Sequence, residues 1–352
     1  MLIYVATFLA FALIAIGKAW KRDNYLIFTG VIFIYLTFFL GYRYQIGVDW
    51  FTYEIIFLEN SRASLIDAIS QGDSAYSLIN WLVGQAGGYV WHVNLICAAI
   101  FSLGLVTFCN MLPRPGIALL VSLPTLIIIT AMGYTRQSVS VGCIMLACYH
   151  FRGSIEWRWL GWLFLGLLFH KSTLLIFPAF ILAGSTNRWI SIFVGGGVVL
   201  GAFLLIVAGG LSDTLALYLE GDIDSSGALP RILVGLAGGA AFFIIKDRSE
   251  IFGSRERLFR NMAIMMILML PLYFVIPSRT IIDRIGILLV PFQSMSYAGL
   301  SEYLWRRKPS YEIVFTVCVV MIYGAIMGIW LLYANFADYW IPYYNVFFVQ
   351  WI

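Results

Sequence analysis

Charge is scarce in this chain. Of its 352 residues only 11% are Asp, Glu, Lys or Arg, against about 25% in a soluble domain. Histidine occurs three times, as His92, His150 and His170, which argues against a His-rich metal site. The five cysteines, Cys97, Cys109, Cys143, Cys148 and Cys318, lie in or beside apolar segments without paired spacing. They read as small core residues, not as a disulfide framework or a metal site. No nucleotide-binding loop, internal repeat, low-complexity tract or long linker is evident. The net charge of +4 is small and scattered and gives no footing for nucleic acid. The first apolar run has no basic n-region and no small-residue cleavage site before Lys18, so it reads as a retained helix.

What is abundant is apolar surface. Hydrophobic residues make up 61% of the chain and fall in runs along its whole length. This predicts an all-α, polytopic integral membrane protein with a single domain over 1–352. A spanning helix needs ~20 apolar residues. Candidate segments lie near 2–17, 25–42, 92–108, 116–132, 134–150, 190–209, 231–245, 261–277, 284–304 and 311–334. Two stretches are ambiguous. Residues 75–90 are short and contain Gly84, Gly87 and Gly88; residues 159–184 are interrupted at His170-Lys171-Ser172.

Lys and Arg favour cytoplasmic loops. With Lys18, Lys21 and Arg22 inside, 75–90 re-entrant and 159–184 a hairpin, the chain crosses about 12 times. Both termini and the acidic loop with Asp213, Glu220, Asp222 and Asp224 then face outward, and the basic loops at 114, 152–158, 188, 246–260 and 305–308 face inward. The rival topology makes 75–90 a full span and 159–184 one helix, which moves Arg114, Arg152 and Arg158 outside. In the preferred topology Arg43, Arg62, Arg136, Lys171, Arg231, Arg279 and Arg284 stay on the outer side, against the positive-inside trend. Charges at a membrane boundary are costly unless paired or used, so function is sought among them.

Arg43, Asp49, Trp50 and Tyr53 follow the second apolar segment, with Gly47 to turn the backbone. A salt bridge beside an aromatic belt is the plain reading. The sharper one is a sugar-phosphate site: Arg grips phosphate in two places, Asp49 receives a hydroxyl proton, and Trp50 and Tyr53 pack on sugar faces. Arg136, followed by Gln137, begins an apolar helix, where a cation opposes the helix dipole and calls for an anion; snorkelling is the alternative. His170 and Lys171 interrupt their run as a structural break or as a site. Arg279 and Asp283 are spaced to pair at i, i+4, leaving Arg284 for pyrophosphate. Arg62 reads as solvated. Trp340 and Tyr343 are an interfacial anchor or a wall for saccharide. No metal is expected, and the four acids of the outer loop read as solvated.

The runs Arg43-Tyr44-Gln45-Ile46-Gly47-Val48-Asp49-Trp50 with Tyr53, Thr135-Arg136-Gln137-Ser138, Leu168-Phe169-His170-Lys171-Ser172 and Tyr339-Trp340-Ile341-Pro342-Tyr343 resemble the EpsG family, grouped with Wzy-type polymerases of bacterial surface polysaccharides. The similarity covers almost the whole chain in order. One departure is Val48, where many relatives have Thr. The resemblance implies a multi-pass protein of the bacterial cytoplasmic membrane, related in architecture to the C-type glycosyltransferases. It also implies polymerisation of undecaprenyl-pyrophosphate-linked repeat units into O-antigen or exopolysaccharide at the outer face, without a cofactor. On that reading Asp49 and His170 are catalytic. Arg43, Arg136, Lys171, Arg279 and Arg284 contact pyrophosphate; Trp50, Tyr53, Gln137, Trp340 and Tyr343 contact sugar. The donor and acceptor are both lipid-linked saccharides, membrane lipid surrounds the chain, and a chain-length regulator and a flippase are potential partners. An O-antigen ligase would use the same donor but calls for a larger late outer loop. A transporter or flippase would place its charges at the midplane.

Overall fold

The apolar runs become helices because only a helix satisfies its own backbone inside a bilayer. In the computed structural model the described residues are 1–17, 20, 24–70, 72–185, 187, 189, 192–194, 196–197, 227–276 and 279–349. They form α1 (Leu2–Gly17), α2 (Tyr25–Gly41), α3 (Trp50–Arg62), α4 (Leu65–Ser70), α5 (Ser74–Gln85) and α6 (Val90–Asn110). Next come α7 (Pro115–Gly133), α8 (Thr135–His150), α9 (Trp157–Phe169) and α10 (Phe177–Gly184). Beyond these lie α11 (Ala228–Ile244), α12 (Glu256–Val275), α13 (Arg279–Arg307) and α14 (Pro309–Tyr333). Among the described residues there is no β-strand, only an isolated bridge between Arg43 and Asn345.

Hydrogen bonds assign each helix end to one of two sides. At the upper end, Gln137 of α8 reaches the Arg284 carbonyl of α13, and Tyr4 of α1 reaches the Trp340 carbonyl. At the lower end, Arg114 pairs with Glu302, and Arg255 and Arg257 hold carbonyls of Cys148, Tyr149, Leu182 and Ser185. α2 ascends and α6 descends against it: Asn110 donates to Thr29 at 2.5 Å below, while Arg43 and Asn94 meet above. The chain therefore leaves α2 and enters α6 on the same side, so α3–α5 do not cross, as expected for 75–90.

The 159–184 segment folds back on itself. Gly184 lies against the Ser154–Ile155 backbone, the Trp159 and Phe180 rings stack at 5.2 Å, and a 3-10 turn over Lys171–Ile176 joins the arms. Gly184 ends at the lower side and Ala228 begins at the upper. The expected span 190–209 and the acidic loop 211–230 fall mostly or largely outside the described residues, as do Lys18, Lys21, Arg22, Arg188 and Pro277.

Small residues let the central helices touch. Gly104 of α6 faces the Gly142 backbone of α8, and a β-carbon on Gly142 would lie 2.9 Å from the Phe101 Cα. Close backbone approach of this kind replaces the missing hydrophobic drive between helices in lipid. α7 is buried throughout its spanning stretch. Its middle, Leu123–Thr130, is π-helical, beginning where Pro124 withholds an amide from the ladder. A second core joins Trp50, Tyr53 and Phe57 of α3 to Tyr76 and Val83 of α5, Cys97 of α6 and Val139 of α8. All five cysteines are free thiols.

The sequence-based figure of about 12 crossings is not reached by length and hydropathy alone. Among the described residues four helices meet those criteria: Val90–Asn110, Pro115–Gly133, Arg248–Val275 and Pro309–Tyr333. α1, α2, α9 and α11 are apolar but shorter. α13 carries buried Gln293, Ser294, Ser296 and Ser301, which lower its hydropathy while it packs inside protein. The charge bias of the loops sets the expectation that the upper end faces outward. With Cys318→Ser as background, Gln45→Cys is expected to react with an impermeant maleimide in intact cells, and Ser254→Cys only after permeabilisation. The reverse pattern would invert the topology.

Candidate functional site

The upper end gathers residues from five elements: the starts of α3, α5 and α8, the α9–α10 tip and α13. Gly47, at φ 99°, turns the chain after α2, and its amide donates to the Tyr339 carbonyl at 3.0 Å. A side chain there would strike the Met132 carbonyl, so glycine is required twice over. The turn delivers Asp49 to the start of α3, half-buried, with no side-chain capping bond. Among the described residues its carboxylate has no hydrogen-bond or ion-pair partner within reach. Burial raises its pKa above the ordinary carboxylate range, while Arg284 and Arg136 pull it back.

Arg136 opens α8 and donates from Nη1 to Asp73 Oδ2 at 2.9 Å. Its guanidinium also sits 5.8 Å from the Tyr53 ring centroid. The anion that its helix position demanded is thus an internal carboxylate. Asp73, at the N-terminus of α5, has its pKa raised by burial and lowered in turn by Arg136 and Lys171. The side chain of Arg136 remains 33% exposed, so a stronger anion can reach it.

Arg284, in the second turn of α13, is half-buried, and its guanidinium has no partner among the described residues. It lies within electrostatic reach of Asp49, Asp73 and His170. His170 sits at the tip of the α9–α10 hairpin. Its Nδ1 accepts the Ser172 amide at 3.3 Å and lies 2.6 Å from Ser172 Oγ. An amide can only donate, so Nδ1 is the acceptor and neutral His170 carries its proton on Nε2. Lys171 beside it is exposed. The tip is locked to α8 by Ser140 and Thr173, whose hydroxyls lie 2.5 Å apart.

Other sequence candidates are placed differently. Arg43 is 1% exposed and spends its guanidinium on the Leu40 carbonyl (2.5 Å), Thr135 Oγ1 (2.7 Å) and Asn94 Oδ1 (3.5 Å). Gln137 is buried and holds the Arg284 carbonyl at 2.6 Å. Trp50 and Tyr53 are buried against Tyr44 and Tyr76 rather than lying open as a belt. Trp340 donates to the Ile128 carbonyl at 3.0 Å, and Tyr343 to the Phe39 carbonyl at 2.8 Å, so both close the upper end of the bundle. Arg279 is exposed over the Tyr273 ring and does not take Asp283. Asp283 instead meets Arg231 in a two-pronged pair, both contacts at 2.6 Å. Arg62 is exposed, as expected.

The structure therefore brings Asp49, Arg136, His170, Lys171 and Arg284 to one face, together with Asp73. Asp73 escaped the sequence reading. It sits before a short apolar helix, as capping residues do, but nothing local ties it to Arg136, 63 positions away. Among the described residues no group of three or more His, Cys, Asp or Glu is arranged to hold a metal.

These features define an integral membrane protein with a charged, half-buried site at one end of a helical bundle. The chain belongs to the EpsG family, a Wzy-like polysaccharide polymerase family, whose match spans residues 26–345. No curated protein and no solved structure matches the chain.

Arg43 and Arg284 separate a structural from an available cation. Arg43→Met strands the Asn94 and Thr135 side chains and should cost about 1–3 kcal/mol of stability, read as a lower thermal midpoint in detergent. Arg284→Met should shift stability by no more than about 0.5 kcal/mol. Equal losses would show that Arg284 is a packing residue.

Proposed function

We propose that the chain polymerises undecaprenyl-pyrophosphate-linked oligosaccharide repeat units into a surface polysaccharide, O-antigen or exopolysaccharide, at the outer face of the bacterial cytoplasmic membrane. Family membership supplies the polymerase-type role. The observation that supports the finer reading is the Asp49 carboxylate, without a contact partner among the described residues and within electrostatic reach of Arg284 and Arg136 at one end of the bundle. Placement of the charges at an end rather than at mid-depth favours an enzyme over a transporter.

In this reading the growing glycan on its lipid carrier is the donor and a single lipid-linked unit is the acceptor. The acceptor hydroxyl oxygen attacks the anomeric carbon of the donor. The bond from that carbon to the pyrophosphate oxygen breaks, and its electron pair leaves with undecaprenyl pyrophosphate. The hydroxyl proton passes to Asp49. Arg284 and Arg136 meet the charge that develops on the leaving oxygens, Arg136 exchanging Asp73 for phosphate. Lys171, exposed beside them, adds long-range attraction. His170, with Nε2 protonated, donates a hydrogen bond to a phosphate or sugar oxygen. Full crossing of the bilayer by about 12 segments belongs to the same proposal.

Asp49→Asn keeps the shape and removes the base, so polymer formation should fall ~10²–10⁴-fold at normal protein level. Polymer from a defined lipid-linked repeat unit in proteoliposomes is the measurement, and near-normal yield would dismiss Asp49 as the base.

The pH profile gives a second test. Asp49 acts only when ionised, and its pKa lies above the usual carboxylate value. The rate should therefore fall on acidification at a pH above ~3.9. Arg284 holds this pKa down, so Arg284→Gln should move the acid limb to higher pH besides lowering the plateau. A limb that stays put would uncouple the two residues. Arg136→Lys and Arg284→Lys should rescue little, because ammonium cannot form the two-pronged contact.

A further inference from the structure

Asp73 leaves undone the work that its position in the chain assigns to it. It is the residue before α5, where a carboxylate ordinarily accepts the free amides of the first helical turn. Its side chain makes no such bond. It turns instead to Arg136, whose Nη1 donates to Asp73 Oδ2 at 2.9 Å. Arg136 stands in the first turn of α8, which also has no side-chain cap. Both helix starts favour a negative charge, and Asp73 supplies it.

The two partners are held unequally. Asp73 rides on α5, which is seated in protein. Tyr76 is buried in the second core, Trp81 donates to the Ala63 carbonyl at 3.2 Å, and Gln85 donates to the Ser61 carbonyl at 3.0 Å. The Asp73 side chain is 10% exposed against 33% for Arg136. Arg136 has a long, jointed side chain over the Tyr53 ring. The guanidinium is therefore the partner that can swing to a phosphate and return, while the carboxylate stays in place. That carboxylate also lies within electrostatic reach of Lys171 and Arg284, so it opposes the hold of all three cations on an anion.

Glycosyl transfer makes such opposition useful. In the donor the pyrophosphate is esterified at both ends, with one ionisation on each phosphate. Once the sugar has left, the terminal phosphate gains a further ionisation with a pKa of about 6. The product thus binds arginines more tightly than the same group in the donor, and product release limits many enzymes. A carboxylate that competes for Arg136 weakens the pyrophosphate contact in both. The loss falls harder on the product, because the donor keeps its saccharide contacts and the product has none.

We infer that Asp73 is a positioning residue that acts through Arg136: it competes with phosphate for the guanidinium and so drives release of the polyprenyl pyrophosphate after transfer. The inference rests on the polymerase reading above and adds to it how the product is discharged.

Asp73→Asn keeps a side-chain oxygen for Arg136 and removes the competing charge. The purified full-length protein, in nanodiscs of phosphatidylcholine, is titrated with geranyl pyrophosphate. Asp73→Asn should bind it about three- to tenfold more tightly than the wild type. Asp73→Ser, a second neutral variant, should do the same, and Asp73→Glu should return the affinity toward the wild-type value. In an Arg136→Met background most of the gain should vanish. Unchanged or weaker binding by both neutral variants would overturn the inference, since a mere scaffold for Arg136 loses affinity when removed. A gain that persists undiminished without Arg136 would also overturn it, because the carboxylate would then act by bulk repulsion. Polymer from a lipid-linked repeat unit is read in parallel, as the ratio of the steady-state rate to the rate of the first turnover. Asp73→Asn should lower that ratio, and added undecaprenyl pyrophosphate should inhibit it at lower concentration. A ratio equal to that of the wild type would refute the role in release. The affinity shift without polymer from any form of the protein would remove the polymerase reading and leave the ion-pair exchange; polymer without the affinity shift would do the opposite.

Discussion

The upper end of the bundle depends on one buried cation. The Arg43 guanidinium is sealed among the Leu40 carbonyl, Thr135 and Asn94, which belong to α2, α8 and α6. Its own backbone bridges Asn345 of the C-terminal segment. A charge taken out of water is costly unless its donors are met, and here Nη1 and Nη2 are met while Nε is left without a partner. Any displacement of α6, α8 or the C-terminal segment would therefore strand it. The same knot sets the loop that follows. The Tyr44 amide reaches the Tyr344 carbonyl, and the Gly47 amide reaches the Tyr339 carbonyl. Asp49 is placed by this chain of contacts, not by a bond of its own.

The charges around that loop divide into spent and available ones. Arg231 with Asp283 forms a two-pronged pair. Arg136 with Asp73 forms a single contact on a side chain that is still one-third exposed. Arg284 and Asp49 have no contact partner among the described residues, yet Arg284 favours the ionised form of Asp49. In a half-buried site such opposite charges interact more strongly than in water. Holding them apart leaves room for a guest that completes both. A pyrophosphate and a hydroxyl satisfy that requirement together.

Much of this was legible in the sequence. Apolar runs gave the helices, and the mismatch between basic residues and the positive-inside trend singled out Arg43, Arg62, Arg136, Lys171, Arg231, Arg279 and Arg284, of which Arg136, Lys171 and Arg284 lie with Asp49 and His170 on one face. The re-entrant 75–90 segment and the folded-back 159–184 segment followed from loop charge, since the alternatives put Arg114, Arg152 and Arg158 on the wrong side. Pairings were the part that did not show. Arg279 and Asp283 have the spacing of a helical pair, but the i, i+4 contact is worth only tenths of a kcal/mol, and Arg231 from α11 offers Asp283 a better, two-pronged geometry. Arg43 reads as a boundary residue because burial comes from α6 and α8, which local sequence does not reveal. The aromatic residues Trp50, Tyr53, Trp340 and Tyr343 have the composition of a belt, and composition does not distinguish a ring facing lipid from one facing α5, α7 or α2. Hydropathy leaves α13 out of the candidate spans for a related reason: it packs against other helices and carries buried serines and Gln293 that a lipid-facing helix would avoid.

Asp49 and His170 compete for the role of proton acceptor, and local geometry distinguishes them. The free lone pair of His170 is already occupied. The Ser172 amide, the first donor of the turn after α9, points at Nδ1 and requires an acceptor there. Ser172 Oγ lies at the same nitrogen. Any neutral imidazole so held turns an N–H outward, and an N–H cannot take a proton. To act as a base, His170 would have to break the cap that shapes the hairpin tip, and the tip is tied to α8 through Thr173 and Ser140. Asp49 faces no such conflict. Its carboxylate has no capping bond to give up, and a carboxylate offers only acceptors. The two groups are thus complementary in the chemistry proposed: Asp49 receives the proton of the attacking hydroxyl, and His170 gives a hydrogen bond to an oxygen that gains charge as the lipid carrier departs.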